Sequence, residues 1–191
     1  MKALAILGSP RVKMNTDLLL NSVIQGLEEQ HVVVEKIELK KFNIHPCIAC
    51  GACEKTGVCF INDDMHKLYQ KFDAADIVVF ASPLYFNSVT SIAKTMIDRC
   101  QMFWSSKYVY NKPAIDRTKK RNGMFIATAG SLQKENGFMG ATLVVDLFFR
   151  AINTKYHYNL LVDNTDKLFV KERLGLLEKA YEMGKKLTIF D

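Results

Sequence analysis

Ala3-Leu4-Ala5-Ile6-Leu7, followed at once by Gly8-Ser9-Pro10-Arg11 and then by Asn15-Thr16-Asp17-Leu18-Leu19, decides the architecture. Five apolar residues in a row, without alternation, read as a strand covered on both faces, which is the habit of a parallel sheet. Gly8 ends the run, and Leu18, Leu19, Val23, Ile24 and Leu27 recur at helical spacing, so strand, loop and helix follow in that order. Asn15, Thr16 and Asp17 carry the short oxygen-bearing side chains that cap a helix start.

The same alternation continues outward. Val32–Leu39, Ile77–Ala81, Gly123–Thr128 and Tyr156–Val162 read as four more strands. Ser91–Phe103 reads as one helix, Phe138–Ile152 as a helix apolar enough to be largely enclosed, and Val170–Lys186 as an amphipathic helix with Leu174, Leu177, Tyr181 and Met183 facing inward. Five strands alternating with helices predict an α/β fold, a doubly wound parallel sheet with helices on both faces. The strand order 2-1-3-4-5, flavodoxin-like, is the most economical.

Composition bounds the rest. The 191 residues suit one domain over 1–191, with a cysteine-rich insertion at about 42–62 and a second irregular stretch at 105–122. With 49% hydrophobic and 24% charged residues the chain is not disordered or collagen-like. No apolar run reaches the roughly 18 residues of a membrane span, and the chain enters its first strand without a signal-peptide pattern, so a cytoplasmic protein with no membrane partner is expected. A formal net charge of +6 favours anionic partners without separating a phosphate-bearing cofactor from nucleic acid. No reading module accompanies the basic run Arg117, Lys119, Lys120, Arg121, so no nucleic-acid partner is expected and the run reads as a solvated loop. A site for the NADPH 2′-phosphate, or for an acidic electron-transfer partner, is the sharper alternative.

Ligands of open α/β sheets sit beyond the carboxyl ends of the strands. The loop after Leu7 offers Ser9, Arg11, Asn15, Thr16 and the amides of a helix N-terminus, which together suit a phosphate. It lacks the spacing of a dinucleotide turn or a triphosphate loop, so a monophosphate fits better. After the third strand, Pro83-Leu84-Tyr85-Phe86-Asn87-Ser88 pairs aromatics with backbone amides, either as core or as the clasp of a flat heterocycle. Thr128 and Gly130 leave room for a ring to approach the backbone after the fourth strand.

These motifs, with Ala93-Lys94-Thr95-Met96-Ile97-Asp98-Arg99 and a compact cysteine run followed by Asn62-Asp63-Asp64-Met65, resemble the iron-sulfur flavoproteins of the NAD(P)H-dependent FMN reductase superfamily over about residues 1–130. The resemblance implies FMN as cofactor. Its phosphate would lie on Ser9, Arg11, Asn15 and Thr16, its isoalloxazine and ribityl chain among Pro83, Leu84, Tyr85, Phe86, Asn87 and Ser88, and its far edge at Thr128 and Gly130. It also implies a homodimer or homotetramer in which the cysteine loop of one subunit nears the flavin of another.

The cysteines are spaced Cys47-x2-Cys50-x2-Cys53-x5-Cys59. Clustered thiols without an export signal point to metal or redox chemistry. Three thiolates at i, i+3 and i+6 wrap one face of a cubane more naturally than they build a zinc ribbon, so a [4Fe-4S] cluster is preferred. Metal-free thiols and zinc remain as alternatives. His45 is a weaker candidate ligand or donor to the cluster. Asp63 and Asp64 read as favourable charge before a helix starting at Met65, with a cation site as the alternative. Asp98 and Arg99 read as ion-pair partners on the helix of Lys94, Cys100 as a buried small hydrophobe, and Phe103 with Trp104 as a subunit contact.

The expected function is an FMN-dependent oxidoreductase, with NAD(P)H as co-substrate or a ferredoxin-like protein as donor and a small molecule as electron acceptor. No acid-base residue is obligatory, since the chemistry lies on the flavin. A cluster-free NAD(P)H:flavin, quinone or azo reductase is the alternative within enzymes. A non-catalytic electron carrier or metal-binding module is the alternative of another class.

Overall fold

The computed structural model describes residues 1–190. Five strands, β1 (Lys2–Leu7), β2 (Val33–Glu38), β3 (Ile77–Pro83), β4 (Asn122–Thr128) and β5 (Lys155–Val162), form one sheet in the order β2-β1-β3-β4-β5, and every neighbouring pair is parallel. The expected fold is therefore present. β3 and β4 are buried along their whole length, as unalternating apolar runs require.

Helices α1 (Asn15–Glu29) and α7 (Leu176–Lys186) cover one face, where Leu19, Val23 and Leu27 meet Ala5, Val79 and Ile126. On the other face lie α3 (Met65–Ala74), α4 (Ser91–Arg99), α5 (Gln101–Tyr108) and α6 (Met139–Ala151); Phe72, Phe80, Phe103 and Phe148 are in ring contact there. The remaining helix, α2 (Ala52–Thr56), is a single turn inside the cysteine insertion.

Several expectations need correction. β3 runs on through Ser82 and Pro83, two residues past the expected end at Ala81. The helix expected over 91–103 is interrupted at Cys100, where the Tyr69 hydroxyl donates to the Arg99 carbonyl at 2.8 Å, and α5 carries on from Gln101 out to Tyr108. Phe103 is core rather than subunit contact, while Trp104 stays partly exposed. α6 is not enclosed: Ala141, Val145 and Phe148 face the sheet, whereas Met139, Leu143 and Leu147, on the opposite stripe, are exposed. The last helix starts late, after a 3-10 turn at Val170–Glu172, and Leu174 lies fully exposed in the break before it. The basic run is not simply solvated either. Arg121 is fully buried, paired with Asp73 at 3.0 Å, and Lys119 reaches Asp76. These residues sit by Asn122 and Lys155, which open β4 and β5, so they occupy the opposite sheet edge from the loops after Leu7, Pro83 and Thr128.

Candidate functional site

Three strand ends converge on one cleft. Its cavity of about 330 Å³ lies in the range of small-molecule sites and is lined by Ser9, Arg11, Asn15, Thr16, Pro83, Leu84, Tyr85, Thr128 and Gly130. Phe86, Asn87 and Ser88, expected with them, do not line it. They form the tip of a tight hairpin in which Tyr85 and Ser88 exchange backbone hydrogen bonds at 2.8 and 3.0 Å, and Phe86 and Asn87 take left-handed conformations with φ of 49° and 58°. Such a turn requires positive φ at both central residues, and a phenylalanine in that position is strained. Its side chain projects entirely into solvent.

The polar groups of the cleft are largely committed to one another. The Ser9 hydroxyl accepts from the Arg11 amide at 3.1 Å and donates to the Arg11 carbonyl at 3.0 Å, folding the loop back on itself. The hydroxyls of Thr16 and Thr128 lie 2.6 Å apart and join the start of α1 to the end of β4. Asn15 donates to the Thr165 carbonyl and accepts from the Val170 amide at 3.0 Å, so it ties down the segment after β5. Capping also differs from expectation. Met14 is the N-cap of α1 and contributes no side-chain bond, while the buried Asp17 carboxylate accepts from the Lys13 amide at 2.6 Å and pairs with Lys36. That leaves the α1 amides and the exposed Arg11 guanidinium as the positive features at the phosphate end.

The segment after β5 brings residues that sequence reasoning missed. Met14, Ser131, Thr165 and Asp166 also line the cavity. The amides of Asn164, Thr165 and Asp166 bond to the carbonyls of Ser131, Ala129 and Gly130, extending the β4–β5 pairing past the sheet. A Cβ on Gly130 would fall 2.3 Å from the Asp166 carboxylate, so any larger residue there would displace that side chain from the cleft wall. Asp166 lies 36 positions after Gly130 with no motif around it, and its carboxylate faces the cleft as its one lining acid.

The four cysteines gather at a second place. Cys47, Cys50, Cys53 and Cys59 all line one hollow of about 210 Å³, together with Ile48, Phe60, Ile61, Met102 and Arg99. All four are free thiols, Cys47 and Cys50 exposed, Cys53 and Cys59 half-buried. Gly51 and Gly57, with φ of 69° and 74°, bracket the single turn of α2 that carries Cys53, a conformation glycine adopts without strain. Among the described residues no group of three His, Cys, Asp or Glu side chains is drawn together tightly enough for a single metal ion. Cys100 is fully buried, and burial pushes its thiol pKa up.

The base of the cysteine loop is a buried ion pair. Arg99 donates to both Asp63 carboxylate oxygens at 2.6 and 3.1 Å, and to the carbonyls of His45 and Ile61 at 2.8 and 3.2 Å. Asp63 also accepts from the amides of His45 and Met65. Burial opposes ionisation of Asp63, but the Arg99 hydrogen bonds and these amides outweigh it and hold the carboxyl at about 2. The contact with the Met65 amide agrees with a role at the start of α3. Arg99 corrects its expectation, since Asp98 pairs with Lys94 and Arg99 turns away to Asp63. His45 faces Asp63, with Nδ1 3.4 Å from the carboxylate, and does not line the hollow.

With this geometry in place, the sequence model described as NADPH-dependent FMN reductase matches residues 1–148. The chain belongs to the NADPH-dependent FMN reductase family. Curated relatives of the chain include an iron-sulfur flavoprotein of Archaeoglobus fulgidus, 40% identical over 99 residues, covering 52% of this chain and 45% of that one. An iron-sulfur flavoprotein of Methanocaldococcus jannaschii is 36% identical over 99 residues, covering 52% and 51%. The chain thus spans about half the length of the curated relatives it matches. Among solved structures, an NAD(P)H:quinone oxidoreductase from Methanothermobacter marburgensis superposes with a TM-score of 0.77 at 17% identity, over 100% of this chain and 98% of that one. An azoreductase from Bacillus anthracis gives 0.74 at 17%, over 97% and 99%. At that identity the likeness is one of fold. No helix among the described residues is long and apolar enough to cross a membrane.

Proposed function

We propose that this chain is an FMN-dependent oxidoreductase of the iron-sulfur flavoprotein type. It would take electrons from NAD(P)H or a ferredoxin-like donor and pass them through FMN and a [4Fe-4S] cluster to a small acceptor. The observation that carries the reading is the strand-end cleft, where a cationic loop, a helix N-terminus and two further strand ends meet in one polar cavity. Ser9, Arg11 and the first amides of α1 would hold the phosphate. Asn15 and Thr16 would act mainly by fixing the loops around it. Pro83, Leu84 and Tyr85 would line one side of the ring, with Thr128 and Gly130 on the other. Phe86, Asn87 and Ser88 would contribute through the rigid hairpin at the rim.

FMN when bound supplies hydride and single-electron chemistry, and a cluster exchanges one electron at a time. The chain's own part is to bind, orient and shield. Cys47, Cys50, Cys53 and Cys59 would hold the cluster, which the shared hollow and the names of the curated relatives support. A cubane spreads its thiolates more widely than a single ion does, which suits thiols that face one hollow without closing on one point.

α4 begins beside the cleft and ends at the cysteine hollow, about 12 Å of helix away. The proposed homodimer or homotetramer would shorten that gap by bringing one subunit's thiols to another's flavin. The exposed apolar stripe Met139, Leu143, Leu147 supports such a contact. A second reading, a cluster-free NAD(P)H:flavin, quinone or azo reductase, is favoured by the exposure of Cys47 and Cys50.

Anaerobic purification followed by a spectrum and iron and sulfide assays separates these readings. Yellow-brown protein with iron, sulfide and a flavin band that bleaches on NAD(P)H addition is the expected result. Yellow protein without iron that still bleaches supports the cluster-free reductase. Bound flavin inert to both nicotinamides supports the electron carrier, and colourless protein that takes up no FMN overturns the proposal.

A further inference from the structure

Arg99 is the one buried cation in the wall of the cysteine hollow. Its two terminal nitrogens are fully used, on Asp63 and on the carbonyls of His45 and Ile61, which are the two feet of the loop that carries the thiols. Its Nε–H is buried and has no hydrogen-bond partner. A buried donor left unpaired costs free energy, so this Nε–H has capacity for one further acceptor. Cys59 lies close to both Arg99 and the Tyr69 hydroxyl, which itself anchors the Arg99 carbonyl. Ile48, Phe60, Ile61 and Met102 give the wall apolar surface, and Glu54 and Gln101 line it as well, so Arg99 is its single cation beside one carboxylate.

We infer that Arg99 is a positioning residue for the thiol site. With Asp63 it staples both feet of the cysteine loop, and its unsatisfied Nε–H serves sulfur, either a thiolate or a bridging sulfide of the group the thiols hold. The sulfur contact rests on the cluster reading above, whereas the staple does not. Sulfur in such a group carries excess electron density, and a hydrogen bond with a nearby positive charge favours its reduced state. Asp63 moderates that charge. The pair therefore sets both the shape of the loop and the ease with which an electron enters it.

The test uses Arg99→Gln, Arg99→Lys and Asp63→Asn in the full chain, each checked for FMN uptake and circular dichroism. In metal-stripped protein, assayed at a pH high enough to ionise the thiols of wild type and variant alike, the cysteines of Arg99→Gln should react with an aromatic disulfide reagent about tenfold faster than wild type, because the loop has lost its staple. After anaerobic reconstitution with iron and sulfide, Arg99→Gln should shift the midpoint potential to more negative values and Asp63→Asn to more positive ones. Arg99→Lys, which keeps the charge without the fork, should lie between Arg99→Gln and wild type. A merely structural pair would move both potentials the same way, and that result, or unchanged thiol rates in folded variants, overturns the inference. If Arg99→Gln does not fold, Arg99→Lys against Asp63→Asn decides by the same opposition of sign. If wild type itself takes up no iron and sulfide, the cluster reading fails while the thiol rates still decide the staple.

Discussion

The strand-end cleft and the cysteine hollow are built on opposite principles. In the cleft, hydroxyls and amides satisfy one another before any ligand arrives: Thr16 with Thr128, Ser9 with Arg11, Asn15 with Thr165 and Val170. The sheet supplies the geometry, and a ligand would enter a formed site. In the hollow, four thiols face a shared space with one short helix between them, and the loop is held mainly where it leaves and rejoins the core. Preorganisation in the first region comes from many small bonds. In the second it is concentrated in one buried pair, so the two should respond very differently to single substitutions.

The largest effect should come from that pair. Asp63→Asn leaves the Arg99 charge buried without its counterion and should destabilise the chain by about 3 kcal/mol, read from urea unfolding at neutral pH. A loss below about 1 kcal/mol would mean that the loop is held elsewhere. The same carboxyl gives a pH signature. Its folded value of about 2 lies below the ordinary 3.8, so the folded state binds fewer protons between those values. Its contribution is complete above the ordinary value and is lost as pH falls through about 2. The stability gap between wild type and Asp63→Asn should accordingly shrink from pH 5 to pH 2, and a constant gap would break the assignment.

A smaller effect, of another kind, is expected in the cleft. Asn15→Ala strands the Thr165 carbonyl and the Val170 amide and should cost about 1–2 kcal/mol in thermal or urea unfolding. Arg11→Ala, at an exposed side chain with no side-chain hydrogen bond or ion pair among the described residues, should leave stability unchanged within about 0.5 kcal/mol. The comparison is sharpened if the two variants separate in this way, and broken if Arg11→Ala unfolds the chain as readily as Asn15→Ala. The smallest effect is a gain. Phe86→Gly relieves the left-handed strain at the hairpin tip and should raise stability by roughly 1 kcal/mol, seen as a higher Tm. A lower Tm would show that the ring packs against something in solution.

What was legible in the sequence follows the same division. Ala3–Leu7, Ile77–Ala81 and Gly123–Thr128 declare themselves because a strand covered on both faces cannot alternate, and right-handed crossovers leave few orders for the sheet they form. The loops after those strands could be named as a cleft for the same reason. Contacts between distant residues could not be read. Arg99 and Asp63 are 36 positions apart, and the i+4 spacing of Lys94 and Asp98 offered a nearer partner set. The interruption at Cys100 has no glycine or proline to announce it, and the Tyr69 hydroxyl that meets the Arg99 carbonyl there reaches in from α3. Asp166 enters the cleft through backbone pairing past the end of β5, which leaves no mark in residue type. The apolar circumference of α6 looked like enclosure, yet periodicity alone does not distinguish a helix covered by its own chain from one with an apolar outer stripe.

The central claim is that the strand-end cleft holds FMN by its phosphate. An equilibrium titration of flavin-stripped protein with FMN and, in parallel, with riboflavin, followed by quenching of flavin fluorescence in wild type and Arg11→Glu, tests it directly. The account predicts saturable binding of one FMN per chain in wild type, much weaker binding of riboflavin, and loss of that preference in Arg11→Glu. Equal affinity for the two flavins in wild type, or an FMN isotherm unchanged by Arg11→Glu, would contradict it.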